Sequence, residues 1–152
     1  EYVDTDEELL IMAIDDFMDA CGLAIIDEFR NNHANAGVVC FNSIHPRYSF
    51  VKVNADGEPT QFSEKTPISR HALISFYYFK CGSDFIACAK DVIRKDRLIN
   101  GNFYISQSLN EMILRQKHIM VKEIESAQFH PLKTEHQLAE YIMEYNKSLQ
   151  SK

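Results

Sequence analysis

Tyr48-Ser49-Phe50-Val51-Lys52-Val53-Asn54-Ala55-Asp56-Gly57-Glu58-Pro59-Thr60-Gln61-Phe62-Ser63-Glu64 is the stretch on which the fold turns. Residues 48–53 alternate and are rich in β-branched and aromatic side chains, which suit a pleated, half-buried surface. Asp56-Gly57 lies between two such runs, where glycine takes the positive φ of a tight hairpin at no steric cost. Thr60–Glu64 returns as the partner strand, and Lys65-Thr66-Pro67 breaks it. The next apolar run, Leu73–Phe79, is long enough for another full strand. An antiparallel hairpin set among alternating strands and helices predicts an α/β fold with a mixed sheet.

Upstream, Glu8–Ile14 is a short apolar run closed by Asp15 and Asp16. Leu9, Ile11 and Ala13 fall on one face of such a strand and Leu10, Met12 and Ile14 on the other, the pattern of a strand in mid-sheet. Residues 20–32 read as a helix with Leu23, Ile26 and Phe29 as its apolar stripe, followed by a strand at Val38–Phe41. Downstream, Gly82-Ser83-Asp84 opens a helix with Ser83 or Asp84 as N-cap and Phe85, Ala89, Val92 and Ile93 on its apolar face. Asn100-Gly101-Asn102 is a turn. Ser106–Gln116 is helical with Leu109, Met112 and Ile113 inward, and Ile119–Ile124 is a strand. Thr134 caps a last helix with a stripe of Leu138, Tyr141, Ile142 and Tyr145, and 147–152 is a polar tail expected to fray. Neither a repeat nor a low-complexity linker divides the chain, so residues 1–152 form a single domain.

With 152 residues, 45% hydrophobic and 25% charged, the chain can bury a real core and is no disordered tail, fibre or coiled-coil rod. A net charge of −6 argues against a nucleic-acid partner. The sequence has no apolar run long enough to span a membrane, and no basic segment leads into an apolar one as in a signal peptide. Cys21, Cys40, Cys81 and Cys88 form no C-x-x-C pair and read as reduced core thiols, so the expected location is cytoplasmic.

Two pairs of residues carry candidate chemistry. Asp15-Asp16 stands at the C-terminal end of a strand, where α/β sheets place ligand sites. A hard cation such as Mg²⁺ takes one or two carboxylates there together with phosphate oxygens, although a strand-end Asp also serves simply as a cap. Glu64-Lys65 puts an acceptor for sugar hydroxyls beside a point charge for a phosphate, or else is a solvated pair before a proline. With five glycines in all, the chain has no Gly-rich phosphate loop, and His33, His45, His71, His118, His130 and His136 are too scattered to suggest a metal cluster.

Six segments in register resemble the sugar-1-phosphate nucleotidyltransferases, above all the bacterial branch serving capsule and surface-polysaccharide synthesis. They are Leu9-Leu10-Ile11 with Asp15-Asp16-Phe17-Met18-Asp19; His45–Val53; Asp56-Gly57-Glu58; Glu64–Ser69; Tyr77–Phe85; and Asn100–Ser106. The likeness extends from about Leu9 to Tyr141. It implies a Rossmann-like α/β/α sandwich whose members join a nucleoside triphosphate to a sugar 1-phosphate and release pyrophosphate. It further implies Asp15 as the Mg²⁺ ligand, Glu64 holding sugar hydroxyls, Lys65 holding the sugar phosphate as the catalytic lysine, and Asn102 where the family has a sugar-contacting Glu.

The chain also departs from that family. Ala13 and Ile14 stand for small polar residues before the metal Asp, Ser75 for the Gly of the long strand and Leu73 for its small polar neighbour. Pro131 lies near the place of a second metal Asp, and Lys133-Thr134-Glu135-His136-Gln137-Leu138 stands for Gly-Thr-Pro-Glu-Asp-Leu. The family's N-terminal nucleotide loop would lie on the order of a hundred residues before Asp15, in the other half of such a domain. The expectation is therefore the sugar-binding half of a truncated nucleotidyltransferase fold, inactive in nucleotidyl transfer by itself. The alternative is a non-catalytic binding or regulatory relative. The apolar strand at 8–14 is expected to be covered by that missing N-terminal half or by a second copy in a homodimer.

Overall fold

The structure, a computed structural model, describes residues 2–150. Its eight strands and four α-helices run β1 (Leu9–Met12), β2 (Asp16–Met18), α1 (Gly22–Asn31), β3 (Ala36–Asn42), β4 (Ser49–Val53), β5 (Pro59–Glu64), β6 (His71–Phe79), α2 (Gly82–Arg94), α3 (Ile105–Leu114), β7 (Ile119–Glu123), β8 (Phe129–Pro131) and α4 (Glu135–Gln150). A single 3-10 turn at Ser126–Gln128 precedes β8. The main sheet has the order β5-β4-β6-β3-β7, with β1 also on β6. β3 and β7 are parallel and the other pairs antiparallel, which makes the sheet mixed.

β6 is the spine. Its alternation sends Ala72, Ile74, Phe76 and Tyr78 into one core with Ile25, Ile26 and Phe29 of α1, and Leu73, Tyr77 and Phe79 into another with Cys88 of α2 and Leu109 and Met112 of α3. Helices thus cover both faces, the α/β/α sandwich expected. One glycine is required by this packing: a Cβ on Gly37 would lie 2.3 Å from the Phe29 ring. The start of α2 is closed by backbone rather than by Ser83 or Asp84. Cys81 is its N-cap, and the Gly82 and Ser83 amides donate to the carbonyls of Glu7 and Thr5.

Several expectations are corrected. In α1, Leu23 is exposed, and Ile25 joins Ile26 and Phe29 inward. In α2, Ile93 faces out and Cys88 faces in. Cys21 is exposed and Cys81 only partly covered, so only Cys40 and Cys88 are core thiols. The stripe of α4 is largely open, with Leu138, Ile142 and Tyr145 exposed, whereas Tyr141 packs 5.2 Å from Phe17. α4 runs to Gln150, and residues 151–152 of the expected polar tail lie outside the described residues.

β1 pairs with β6 alone among the described residues. Leu9 and Ile11 pack on the α2–α3 core, while Leu10 and Met12 point outward. The second apolar face of this strand is therefore open in the single chain. No helix among the described residues is long and apolar enough to cross a membrane.

Candidate functional site

β4 and β1 lie on the same side of β6 but do not meet. β4 pairs at His71 and Ala72, and β1 pairs from Phe76 to Phe79. Between them the β6 segment Leu73–Ser75 lacks a strand partner on that side among the described residues, and one backbone bond, from the Ala13 amide to the Ser75 carbonyl, reaches into the gap. A cavity of about 430 Å³ opens there. Residues from the end of β1, the start of β4, the end of β5 and the first turn of α3 line it, and Ser75 keeps its wall small where an aromatic side chain would fill it.

At one end stands Glu64, the last residue of β5, only 8% exposed. Ser49 and Ser106 both donate to its Oε2, at 2.5 and 2.9 Å. Both of its side-chain hydrogen bonds among the described residues go to Oε2 rather than Oε1, and the residue lines the cavity. Two neutral hydroxyls thus orient the carboxylate without cancelling its charge. Tyr77 forms the adjacent wall, its phenol pushed up to about 12 by burial. Lys65 follows in a left-handed conformation with φ of 56°, rare for a side chain of this type and a mark of local strain. That conformation turns Lys65 out to the rim. There its Nζ donates to Tyr104 Oη at 2.8 Å and lies 5.0 Å from the Tyr104 ring centre, and the hydrogen bond raises the lysine pKa. Arg47, on the loop before β4, lines the cavity beside Tyr48. Neither Arg47 nor Lys65 has a carboxylate within ion-pair distance among the described residues.

At the other end the chain leaves β1 and enters the short ribbon of β2 with β8, in which Asp16 stands opposite Pro131. The Leu132 amide donates to the Asp15 carbonyl, so Lys133 is delivered against the acidic pair. Its Nζ lies 3.1 Å from Asp15 Oδ2 and 3.0 Å from Asp16 Oδ1. The second contact is an ion pair rather than an aligned hydrogen bond. Burial works against the Lys133 ammonium, but its close contacts with Asp16 and Asp15 and their charges outweigh that and hold its pKa above the ordinary lysine value. The remaining Asp16 oxygen, Oδ2, accepts from the Ser75 amide, the donor exposed by the gap between β4 and β1.

The expected site residues are thus distributed as follows. Glu64 lines the cavity directly. Lys65 reaches it through Tyr104, and Asp15 through Lys133. Of the acidic pair it is Asp16 that faces the cavity. Asn102 sits in the exposed turn before Phe103, its amide donating to the Asn100 carbonyl, and does not line the cavity. Arg47, Ser49, Tyr104, Ser106 and Lys133 went unmarked in the sequence. Lys133 had one signal, its position in place of a glycine in the late segment.

As they stand, these residues do not fit a divalent metal. Such an ion needs about six oxygens. Among the described residues no group of three or more His, Cys, Asp or Glu side chains converges, and the two carboxylates nearest the purpose already share an ammonium.

No family model matches the chain, and no curated protein matches its sequence. Solved structures do match its fold. A nucleoside-diphosphate-sugar pyrophosphorylase from Vibrio cholerae RC9 superposes with a TM-score of 0.75 at 18% identity, over 90% of this chain and 56% of that one. A structure described as a glucose-1-phosphate thymidylyltransferase from Bacillus anthracis, solved in complex with a sucrose, superposes with a TM-score of 0.69 at 18% identity, over 89% of this chain and 53% of that one. The likeness is one of fold, and the chain spans about half the length of these neighbours.

Proposed function

We propose that the chain binds a sugar 1-phosphate in this cavity, as the sugar-holding half of a nucleotidyltransferase-like protein. One observation carries the reading: a buried carboxylate with a spare acceptor, Glu64 Oε1, lines a cavity that Arg47 also lines and that Lys65 borders through Tyr104, and neither cation has a carboxylate partner among the described residues. A sugar offers hydroxyl donors to the first, and its phosphate offers charge to the second. Arg47 can grip two phosphate oxygens through its planar fork, and Lys65 supplies a point charge steadied by Tyr104. The first turn of α3 also lines the cavity, and a helix N-terminus favours an anion.

In nucleotidyl transfer, a phosphate oxygen of the sugar phosphate attacks the α-phosphorus of a nucleoside triphosphate and pyrophosphate leaves. Catalysis of such a step is mostly positioning and charge stabilisation. Arg47 and Lys65 would hold and aim the attacking phosphate, and Glu64 would fix the sugar ring. This sequence has no Gly-rich loop to cradle the triphosphate, so the chain on its own is expected to bind without transferring. A second reading, a binding or regulatory module that keeps the fold, is favoured by the occupation of Asp15 and Asp16 by Lys133.

The test is calorimetric titration of the purified chain with a hexose 1-phosphate, the free hexose and inorganic phosphate. The phosphosugar should bind tighter than either part, and Glu64→Gln should weaken it while leaving inorganic phosphate unaffected. Equal binding of phosphosugar and phosphate would refute the sugar site.

A further inference from the structure

The acidic pair at the end of β1 already has its cation, and that cation belongs to the chain. Three carboxylate oxygens are engaged: Asp15 Oδ2 and Asp16 Oδ1 by Lys133 Nζ, and Asp16 Oδ2 by the Ser75 amide. The Asp16 side chain is 5% exposed, so it cannot swing out to offer other atoms. Nor is the lysine a loosely placed surface group. The β2–β8 ribbon fixes the backbone two residues before it, the Leu132 amide ties the next residue to Asp15, and its own amide donates to Gln137 Oε1 at 3.0 Å. Thr134 then caps α4 through a bond from the Gln137 amide, which anchors the segment on its other side.

A divalent ion at this place would have to sit about 2 Å from the same oxygens that the ammonium approaches at 3 Å. Two cations so close repel strongly in a partly buried site, and expelling the lysine would leave an ammonium without its partners. The ribbon partner facing Asp16 is Pro131, which has no side-chain oxygen to add to a coordination shell. Yet the two carboxylates are held side by side, as a metal site would need. What closes it is the lysine.

We infer that Lys133 is a built-in counter-cation that takes the place of a divalent metal ion at Asp15 and Asp16, so that the cavity binds its phosphorylated ligand without metal. The lysine with two carboxylates carries a net negative charge, and so the ligand's phosphate falls to Arg47 and Lys65, the cations that have no carboxylate partner among the described residues. The inference about the ligand rests on the proposed sugar 1-phosphate site. The inference about the metal does not.

The experiment is titration of the whole chain with Mn²⁺, followed by water-proton relaxation. The quantity read is binding that disappears with Asp15→Asn. Wild type should show none. Lys133→Met should gain such binding, from none to a saturable Mn²⁺ signal, and lose it again in the Lys133→Met, Asp15→Asn double variant. Asp15-dependent Mn²⁺ binding by wild type would overturn the inference. So would a folded Lys133→Met chain that binds none, since the lysine would then not be what excludes the metal. If Lys133→Met does not fold, the wild-type and Asp15→Asn pair still decides. Separately, hexose 1-phosphate affinity should be the same in EDTA and in millimolar Mg²⁺. A phosphosugar that binds only with Mg²⁺ overturns metal independence, whereas one that fails to bind in either counts against the sugar site and leaves the Mn²⁺ result standing.

Discussion

The two ends of the cavity hold carboxylates in opposite ways. Glu64 is held by two serine hydroxyls on one oxygen and keeps the other without a hydrogen bond among the described residues. Asp15 and Asp16 are held by an ammonium, and Asp16 by a backbone amide as well. Neutral donors orient a charge and leave it available to a ligand; a cation orients it and cancels it. The Glu64 end therefore keeps an acceptor at the cavity, while the Asp16 end ties Lys133 and the Ser75 amide together in the gap between β4 and β1.

The largest effect that separates the ends should come from Asp16→Ala. It strips the Ser75 amide of its acceptor in a partly buried place and removes half of the Lys133 pairing, costing about 2–4 kcal/mol in urea unfolding. Asp15→Ala removes only a half-exposed contact and should cost less than about 1 kcal/mol. Equal costs would mean that the acidic pair is not the structural device described.

Next in size is Glu64→Gln. It should weaken hexose 1-phosphate by about tenfold, the worth of a charge-assisted hydrogen bond, with little change in unfolding midpoint. An unchanged affinity would make the two ends alike. Arg47→Met and Lys65→Met should each weaken the phosphosugar several-fold. The loss should shrink as salt is raised, because both cations are exposed and screened.

How far the sequence carries can be judged from particular residues. The hairpin at 49–64 was legible because alternation and Asp-Gly are local signals. Glu64-Lys65 stood out as a charged pair at a strand end for the same reason. The open face of β1 was not legible, because an apolar run reads alike in mid-sheet and at an edge. β8 is three residues ending in proline, too short for any period to show. Leu23 fits the helical spacing as well as Ile25 does, and only the position of β3 decides between them. The partners that complete the site lie 15, 42 and 118 residues away in sequence from the groups they hold: Ser49 and Ser106 from Glu64, and Lys133 from Asp15. Such pairings exist only once the sheet has formed.

A further contrast is a pH dependence at the Glu64 end, confined to alkaline solution. The Tyr77 phenol is pushed from 10.0 to about 12 by burial. Below pH 10 it is neutral in folded and unfolded chains alike. Between pH 10 and 12 the unfolded chain releases the proton and the folded chain retains it, so stability falls as pH rises. Tyr77→Phe should flatten that part of the curve, and an unaltered decline would mean that other groups carry it.

The most direct measurement is a crystal structure of the chain with a hexose 1-phosphate grown in EDTA. The account predicts a sugar hydroxyl within hydrogen-bond distance of Glu64 Oε1, the phosphate against Arg47 and Lys65, and Lys133 still bridging Asp15 and Asp16. A ligand seated away from Glu64, or a phosphate drawn to a Lys133 that has left the two aspartates, would contradict it.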